Sequence, residues 1–365
     1  MNVALVHDYL NQFGGAERVL LTLTEMFPDA PIYTLFHDNE SLGHRFNDRT
    51  IYTSFLDKPL IRNNHRYFIP LFAPAACTLN LGKQYDLIIS DSAGFGKGVR
   101  YKNTPHISYI HSPLRYAWEP EMYLGTLFSK PILNIGKPLL YALRHWDKRA
   151  AQRPDIIFTN SHYTREKINN FYARDADVLY PPVNTDLFFP EQTKKDSPYY
   201  LAFGRIIHYK RFDLIVDAFN ILQRPLLIIG DGPEKENIKK RIRSPYITMH
   251  PMIEDENELR KIISNAKAFI FPQEEDFGLV AAEAITCGTP VIAYGRGGAL
   301  EIVQEGINGT FFYKNTPQEL AAAVERYETQ IFNRKCIIES AYQFSKNNFK
   351  EKIFKTIKNM QEFDL

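Results

Sequence analysis

Short apolar runs rich in Val, Ile, Leu, Phe and Tyr alternate with helix-period segments along almost the whole chain. The first series comprises Val3 to Val6, Ile32 to Leu35, Leu87 to Ser90, His106 to Ile110, Ile156 to Thr159 and Val178 to Tyr180. The second comprises Tyr199 to Phe203, Leu226 to Ile229, Ile247 to His250, Ala268 to Phe271, Pro290 to Ala293 and Gly309 to Phe312. Strands covered by helices on both faces read as continuous apolar runs, so each series predicts βαβ units on a parallel sheet. Between them, Tyr180-Pro-Pro-Val-Asn-Thr-Asp-Leu-Phe-Phe-Pro190-Glu-Gln-Thr-Lys-Lys-Asp-Ser-Pro198 carries four prolines and a polar stretch that break helix and strand alike. The fold class is therefore α/β, with two doubly wound Rossmann-like domains facing each other across a cleft: residues 1–180, a linker at 181–198, and 199–345. A C-terminal helix at 346–365 ends a helix-period pattern that runs from Asn333 to Phe363, and a return of that helix to the first domain is left open. A chain of 365 residues exceeds what one core usually supports, which agrees with two domains.

Charge and composition narrow the function. With 44 basic and 42 acidic side chains there is no protein-wide field to gather nucleic acid, and no nucleic-acid partner is expected. Cys77, Cys287 and Cys336 stand far apart without paired spacing, so neither a disulfide framework nor a zinc site is suggested. The start, Met1-Asn-Val-Ala-Leu-Val-His7-Asp8, does not read as a signal peptide, and no apolar run is long enough to span a bilayer. A cytoplasmic location is expected.

Open α/β sheets bind ligands at the carboxyl ends of their strands, so the informative motifs are those that follow strands. Asn11-Gln-Phe-Gly14-Gly15-Ala16-Glu17-Arg18 follows the first strand and opens a helix. Paired glycines there let backbone N–H groups approach a phosphate or sugar oxygen, and a tight turn without a ligand explains them nearly as well. Gly204-Arg205-Ile-Ile-His-Tyr-Lys210-Arg211 places two cations after the next sheet's first strand, where they suit a diphosphate whose charge grows as it leaves; a solvated basic loop is the alternative. Gly230-Asp-Gly232-Pro233 reads as a turn and helix start. Phe271-Pro-Gln-Glu-Glu275-Asp-Phe-Gly-Leu-Val-Ala-Ala-Glu283-Ala-Ile-Thr-Cys-Gly288 says most: strand, turn, a helix opening at about Leu279, and a closing glycine. Glu275 falls on the turn and Glu283 one to two turns into the helix, with Phe277 and the amides of Gly278, Leu279 and Val280 at a helix N-terminus that attracts anions. Tyr109-Ile-His111-Ser-Pro-Leu-Arg115-Tyr116-Ala-Trp118-Glu119 also follows a strand, and His111 there is either a sugar-hydroxyl partner, an acid or base, or a structural residue.

Taken together, these segments resemble the retaining glycosyltransferases of family 4, which have the GT-B fold, over nearly the whole chain. The family's Glu-x7-Glu motif matches Glu275 and Glu283; its first glutamate faces the transferred sugar and its second binds the ribose. The diphosphate-holding Arg and Lys match Arg205 and Lys210, the glycine loop matches Gly14 and Gly15, and the first-domain histidine that contacts the donor sugar matches His111. The resemblance thus implies catalytic roles for Glu275, His111, Arg205 and Lys210. It implies donor contacts from these groups and from Phe277, Gly278, Leu279, Val280 and Glu283, with the base near Pro251, Met252 and Ile253. More narrowly, Gly14 to Arg18, Tyr85-Asp-Leu-Ile-Ile-Ser-Asp-Ser-Ala, His111 to Trp118 and Trp146-Asp147 look like bacterial O-antigen and polysaccharide mannosyltransferases. That subgroup implies GDP-mannose as donor, an acceptor-binding first domain with Arg115 and Tyr116 near a lipid-linked or oligosaccharide acceptor, and transfer with retention. No cofactor and no metal are implied. Asp175-Ala-Asp177 begins a strand rather than ending one and is read as a turn. Related enzymes that use UDP-sugars keep that donor class open.

Two further segments mix cations with aromatic and apolar residues: Arg62-Asn-Asn-His65-Arg66-Tyr67-Phe68-Ile-Pro-Leu71-Phe72, and Phe128 to Trp146 with Lys130, Lys137, Arg144 and His145. Each suits either an anionic face of the inner membrane or a half-buried helix with a solvated edge. A nicotinamide dehydrogenase is disfavoured because Gly94-Phe-Gly96-Lys-Gly98 has the wrong spacing for a dinucleotide fingerprint. A non-catalytic or epimerase-type nucleotide-sugar-binding protein remains the rival.

Overall fold

The computed structural model describes residues 1–81, 85–125, 128, 130–192 and 199–363. The chain divides into two compact units, Met1–Tyr180 and Pro181–Leu365. Of the proline-rich linker, residues 193–198 lie outside the described residues.

The first unit contains a seven-stranded parallel sheet: β1 (Val3–His7), β2 (Ile32–Thr34), β3 (Ile51–Thr53), β4 (Leu87–Ser92), β5 (His106–Ile110), β6 (Ile156–Thr159) and β7 (Asp177–Val178), in the order β3-β2-β1-β4-β5-β6-β7. The second contains six parallel strands, β8 (Tyr200–Phe203), β9 (Leu226–Ile229), β10 (Ile247–His250), β11 (Phe269–Phe271), β12 (Val291–Tyr294) and β13 (Gly309–Phe312), in the order β10-β9-β8-β11-β12-β13. Each order reverses direction at the first strand, between β1 and β4 and between β8 and β11. That reversal defines the doubly wound, Rossmann-like plan and gives each unit its own crevice, at the carboxyl ends of β1 and β4 in the first and of β8 and β11 in the second. The apolar runs are buried for the reason the pattern gave: in the second unit Ala202, Ile228, Ile270, Ile292 and Phe312 from five strands join Phe219, Leu320 and Val324 from helices in one core.

Three local expectations change. The edge strand β3 was not read from the sequence, because Ile51-Tyr-Thr53 is short and its Tyr52 and Thr53 are exposed. Val178 to Tyr180 forms a strand only as Asp177–Val178, since Tyr180 and the prolines after it have left the sheet. The helix-period pattern of Asn333 to Phe363 is interrupted rather than continuous: helix Arg334–Ser340 gives way to a short 3-10 turn, and Ser345 is extended before helix Lys346–Phe363 begins. At that break Val183 donates its N–H to the Phe344 carbonyl at 2.7 Å, so backbone pairing with the segment after the first unit replaces helical hydrogen bonds.

Candidate functional site

Each unit gathers sequence-singled residues at its own reversal point. In the second unit the chain leaves β8 through Gly204 at φ +136°, a conformation that favours glycine, and enters an exposed Arg205. The loop is pinned by the neighbouring turn: Ile206 donates to the Asp231 carbonyl at 2.8 Å and Glu234 to the Ile206 carbonyl at 3.2 Å. A Cβ on Gly230 would sit 2.1 Å from the Gly204 carbonyl oxygen and one on Gly232 2.3 Å from the Ile206 carbonyl oxygen, so the glycine pair after β9 serves this backbone approach. Lys210 ends a one-turn 3-10 helix, and its Nζ lies 3.4 Å from Glu275 Oε1, both side chains being mostly buried.

Glu275 belongs to the segment after β11, and its shape is set by contacts that sequence reading did not reveal. Gly298 donates to the Glu275 carbonyl at 2.9 Å. A Cβ on Gly298 would fall 2.3 Å from Phe277 Cα, and one on Gly297 2.5 Å from the Glu275 carbonyl oxygen. The only available signal was the glycine-rich run Gly295-Arg-Gly-Gly298 after β12. Gly278, at φ +109°, turns the chain into helix Leu279–Thr286 with its Cα face against the Phe271 ring, where a Cβ would come within 2.5 Å. Ala281 already donates to the Gly278 carbonyl at 2.9 Å, whereas Leu279 and Val280 precede any helical carbonyl they could bond, which leaves an anion-attracting end beside Glu275 and Lys210. Glu283 is buried on this helix, 1% exposed. Ile253 follows β10, where Met252 donates its N–H to Asp231 Oδ2 at 2.9 Å.

In the first unit, His111 follows β5 and its Nε2 lies 2.5 Å from Asp91 Oδ1. Asp91 Oδ2 is 2.9 Å from His7 Nδ1, and His7 Nε2 is 3.5 Å from Glu17 Oε1. Glu17 Oε2 in turn accepts the Gly14 N–H at 2.8 Å, so that amide is already engaged at the start of helix Gly15–Met26. Burial alone would lower the His7 pKa, but the Asp91 and Glu17 carboxylates outweigh it and push it up to about 10. Asp91 is also fully buried, which opposes ionisation, yet His111 and His7 hold its pKa below the usual carboxylate value.

A second buried network shapes the same face. Asp8 accepts Ser92 Oγ, Phe95 N and Gly96 N on one oxygen and Ala93 N on the other, at 2.5–2.9 Å, wrapping the loop after β4 around a carboxylate. Lys97 in that loop is wholly buried and pairs with Asp147 Oδ1 at 2.6 Å. Asp147 Oδ2 accepts Tyr172 Oη at 2.6 Å, Trp118 Nε1 at 2.8 Å and Leu114 N at 3.3 Å, tethering the segment that runs on from His111. Gly94-Phe-Gly96-Lys-Gly98 is thus a clamp: a Cβ on Gly96 would be 3.1 Å from Asp8, and one on Gly98 2.5 Å from the Trp146 ring. Nothing in the sequence distinguished Lys97 from a surface lysine. Arg115 lies over the Tyr123 ring at 5.2 Å, and the Tyr116 and Tyr9 hydroxyls are 3.4 Å apart. Asp175 is held by Arg165 at 2.8 and 2.9 Å. No helix among the described residues is long and apolar enough to cross a membrane.

A model of Glycosyltransferase Family 4 matches residues 13–187, and a model of Glycosyl transferases group 1 matches residues 183–347. The two models together run over residues 13–347, so both units resemble glycosyltransferases, on a GT-B fold. The fold match extends over its length: Anabaena HepE in complex with UDP superposes with a TM-score of 0.73 at 17% identity, covering 98% of this chain and all of HepE. The sucrose-phosphate synthase of Thermosynechococcus elongatus gives 0.74 at 16% identity over 99% of this chain and 100% of its own. By sequence, the chain is 27% identical to an uncharacterized glycosyltransferase of Methanocaldococcus jannaschii, over 60% of this chain and 62% of that protein. It is also 27% identical to the GDP-mannose-dependent alpha-(1-6)-phosphatidylinositol monomannoside mannosyltransferase of Mycolicibacterium smegmatis, over 48% of this chain and 54% of the relative. The matches thus span little more than half the length of these two curated relatives.

Proposed function

We propose that this protein is a retaining glycosyltransferase that moves a hexose, mannose from GDP-mannose, to a lipid-linked or polysaccharide acceptor in surface-glycan synthesis. The observation that carries this reading is Lys210 Nζ lying 3.4 Å from Glu275 beside the start of helix Leu279–Thr286 at the carboxyl ends of β8 and β11. In it, Arg205, Lys210 and the helix amides take up the charge that develops on the departing diphosphate, which is where a transferase gains most of its rate. Glu275 faces the transferred sugar, Glu283 the ribose and Ile253 the base; His111 meets a sugar hydroxyl, and Arg115 and Tyr116 meet the acceptor. No metal takes part: activity persists in EDTA, and a loss restored by manganese would count against this part. Mannose draws support from the mannosyltransferase relative, whereas a UDP-sugar donor draws support from HepE, whose structure holds UDP.

Thermal-shift titration with GDP, UDP and their sugars separates the donors, because a ligand at a hundred times its dissociation constant adds about 2.7 kcal/mol. GDP and GDP-mannose are expected to stabilise most, and no response to any nucleotide would remove the reading. Donor turnover by Glu275→Ala is expected to collapse; unchanged turnover would take Glu275 out of the mechanism. Peripheral docking on the inner membrane draws support from exposed Ile132, Ile135, Leu139 and Tyr141 near Lys137 and His145. Flotation with anionic liposomes tests it, and absence of binding rejects it.

A further inference from the structure

The chain of contacts from the glycine loop to His111 has a polarity that ordinary hydrogen-bond inventories fix. A neutral imidazole carries one N–H, yet His7 presents a carboxylate to each ring nitrogen, Asp91 Oδ2 at 2.9 Å and Glu17 Oε1 at 3.5 Å. Both contacts are attractive only for the imidazolium. Asp91, with that cation on one oxygen, has its other oxygen 2.5 Å from His111 Nε2, and a carboxylate can only accept. His111 must therefore carry a proton on Nε2, and when neutral it keeps Nδ1 as an acceptor. The register supports the arrangement: His7 and Asp91 are directly paired on neighbouring parallel strands β1 and β4. Among the described residues, the ionisable groups that act on them are Glu17 from helix Gly15–Met26, His111 after β5, and Tyr109 on β5. Glu17, His7 and Asp91 are 4%, 3% and 0% exposed, each deeper than His111 at 8%.

We propose that Glu17, His7 and Asp91 form a positioning relay that locks His111 in its Nε2–H tautomer, with Nδ1 offered to a sugar hydroxyl, and that ties this orientation to the glycine loop through Gly14. The role of Nδ1 rests on the transferase reading; the relay itself does not. His7 acts as a resident cation, so the relay needs no proton to move during turnover. Because Glu17 grips both the Gly14 amide and His7, any shift of the glycine loop on meeting a ligand is transmitted to His111 along one hydrogen-bonded line.

The test uses the full chain labelled with ¹⁵N-histidine, its signals assigned through His7→Gln and His111→Gln. His7 is expected to show the imidazolium pattern from pH 6 to 9, and neutral His111 the Nε2–H tautomer. A His7 ring that titrates near its ordinary 6.5, or a His111 protonated on Nδ1 alone, overturns the proposal. In turnover, Asp91→Asn should lower kcat about 10- to 10,000-fold with donor KM within about twofold, the span between losing an outer-shell histidine partner and losing a triad aspartate. In a His111→Ala background the same change should add nothing; multiplicative losses overturn the relay. Should Asp91→Asn not fold, Glu17→Gln serves, and its His7 ring should then titrate inside pH 6 to 9. Wild-type protein that shows both nuclear signatures but no transfer with any nucleotide sugar would refute the transferase reading and leave the relay standing.

Discussion

Replacing Lys97 by methionine keeps the aliphatic stem and deletes one buried charge. The ammonium and its partner Asp147 are both 0% exposed and 2.6 Å apart, so water cannot step in for the lost cation. Three donors to the other carboxylate oxygen remain, from Tyr172, Trp118 and Leu114, but none carries a charge. Breaking a buried pair by removing one member costs about 3–5 kcal/mol, since the survivor is left uncompensated. For a unit of this size that corresponds to a drop in its melting temperature of roughly 6–20 °C, at about 2–4 °C per kcal/mol. The assay is built into the chain: its 2 tryptophans, Trp118 and Trp146, both lie in the first unit, so fluorescence during urea unfolding follows that unit alone. Lys97→Met/Asp147→Asn removes the orphaned charge while the amide oxygen can still accept from Tyr172 and Trp118. The double variant should therefore be more stable than Lys97→Met by about 1–3 kcal/mol. A single variant within about 1 kcal/mol of wild type, or two substitutions whose losses simply add, would refute the argument.

Gly298→Ala drives a Cβ to 2.3 Å from Phe277 Cα, so the Glu275 turn must shift. Nucleoside diphosphate affinity should fall at least about tenfold while overpacking costs only about 1–3 kcal/mol of stability, and unchanged affinity by titration would refute the link. Two histidines should shape opposite limbs of the pH–stability curve. Burial, with Arg153 nearby, lowers the His106 pKa to about 3, so below pH 6.5 the unfolded chain binds the extra proton. Stability then falls by about 1.4 kcal/mol per pH unit toward pH 3, and His106→Gln should flatten that limb. The His7 pKa is raised to about 10, so its contribution is complete below pH 6.5 and lost as pH rises toward 10. His7→Gln should flatten the alkaline limb, and a pH profile left unchanged by either variant refutes the corresponding assignment.

The two sheets were legible because their strands are buried on both faces and therefore write themselves as apolar runs; β3, half exposed and three residues long, does not. The turn at Glu275 and the helix start at Leu279 were legible because strand, glycine and apolar helix follow one another locally. What shapes that turn was not, because Gly297 and Gly298 approach it across about 20 residues of sequence and a glycine announces freedom rather than a neighbour. Asp91 and Glu17 stood inside motifs that carried the family resemblance, yet their link through His7 spans strands 84 residues apart in sequence. Lys97 and Asp147 illustrate the same limit more sharply, since the pattern that predicts burial treats every charged residue as solvated.

Burial of Lys97 also converts a protease site into a clock. Trypsin cuts after lysine only when several residues on either side can be drawn into an extended strand, and here the loop is wrapped around Asp8 with its lysine sealed inside. Cleavage at this one bond should wait for the whole first unit to open, while exposed sites such as Lys102 and Lys148 need not. The rate of that single cut therefore times how often the scaffold around His111 comes apart, in the intact protein and without a label.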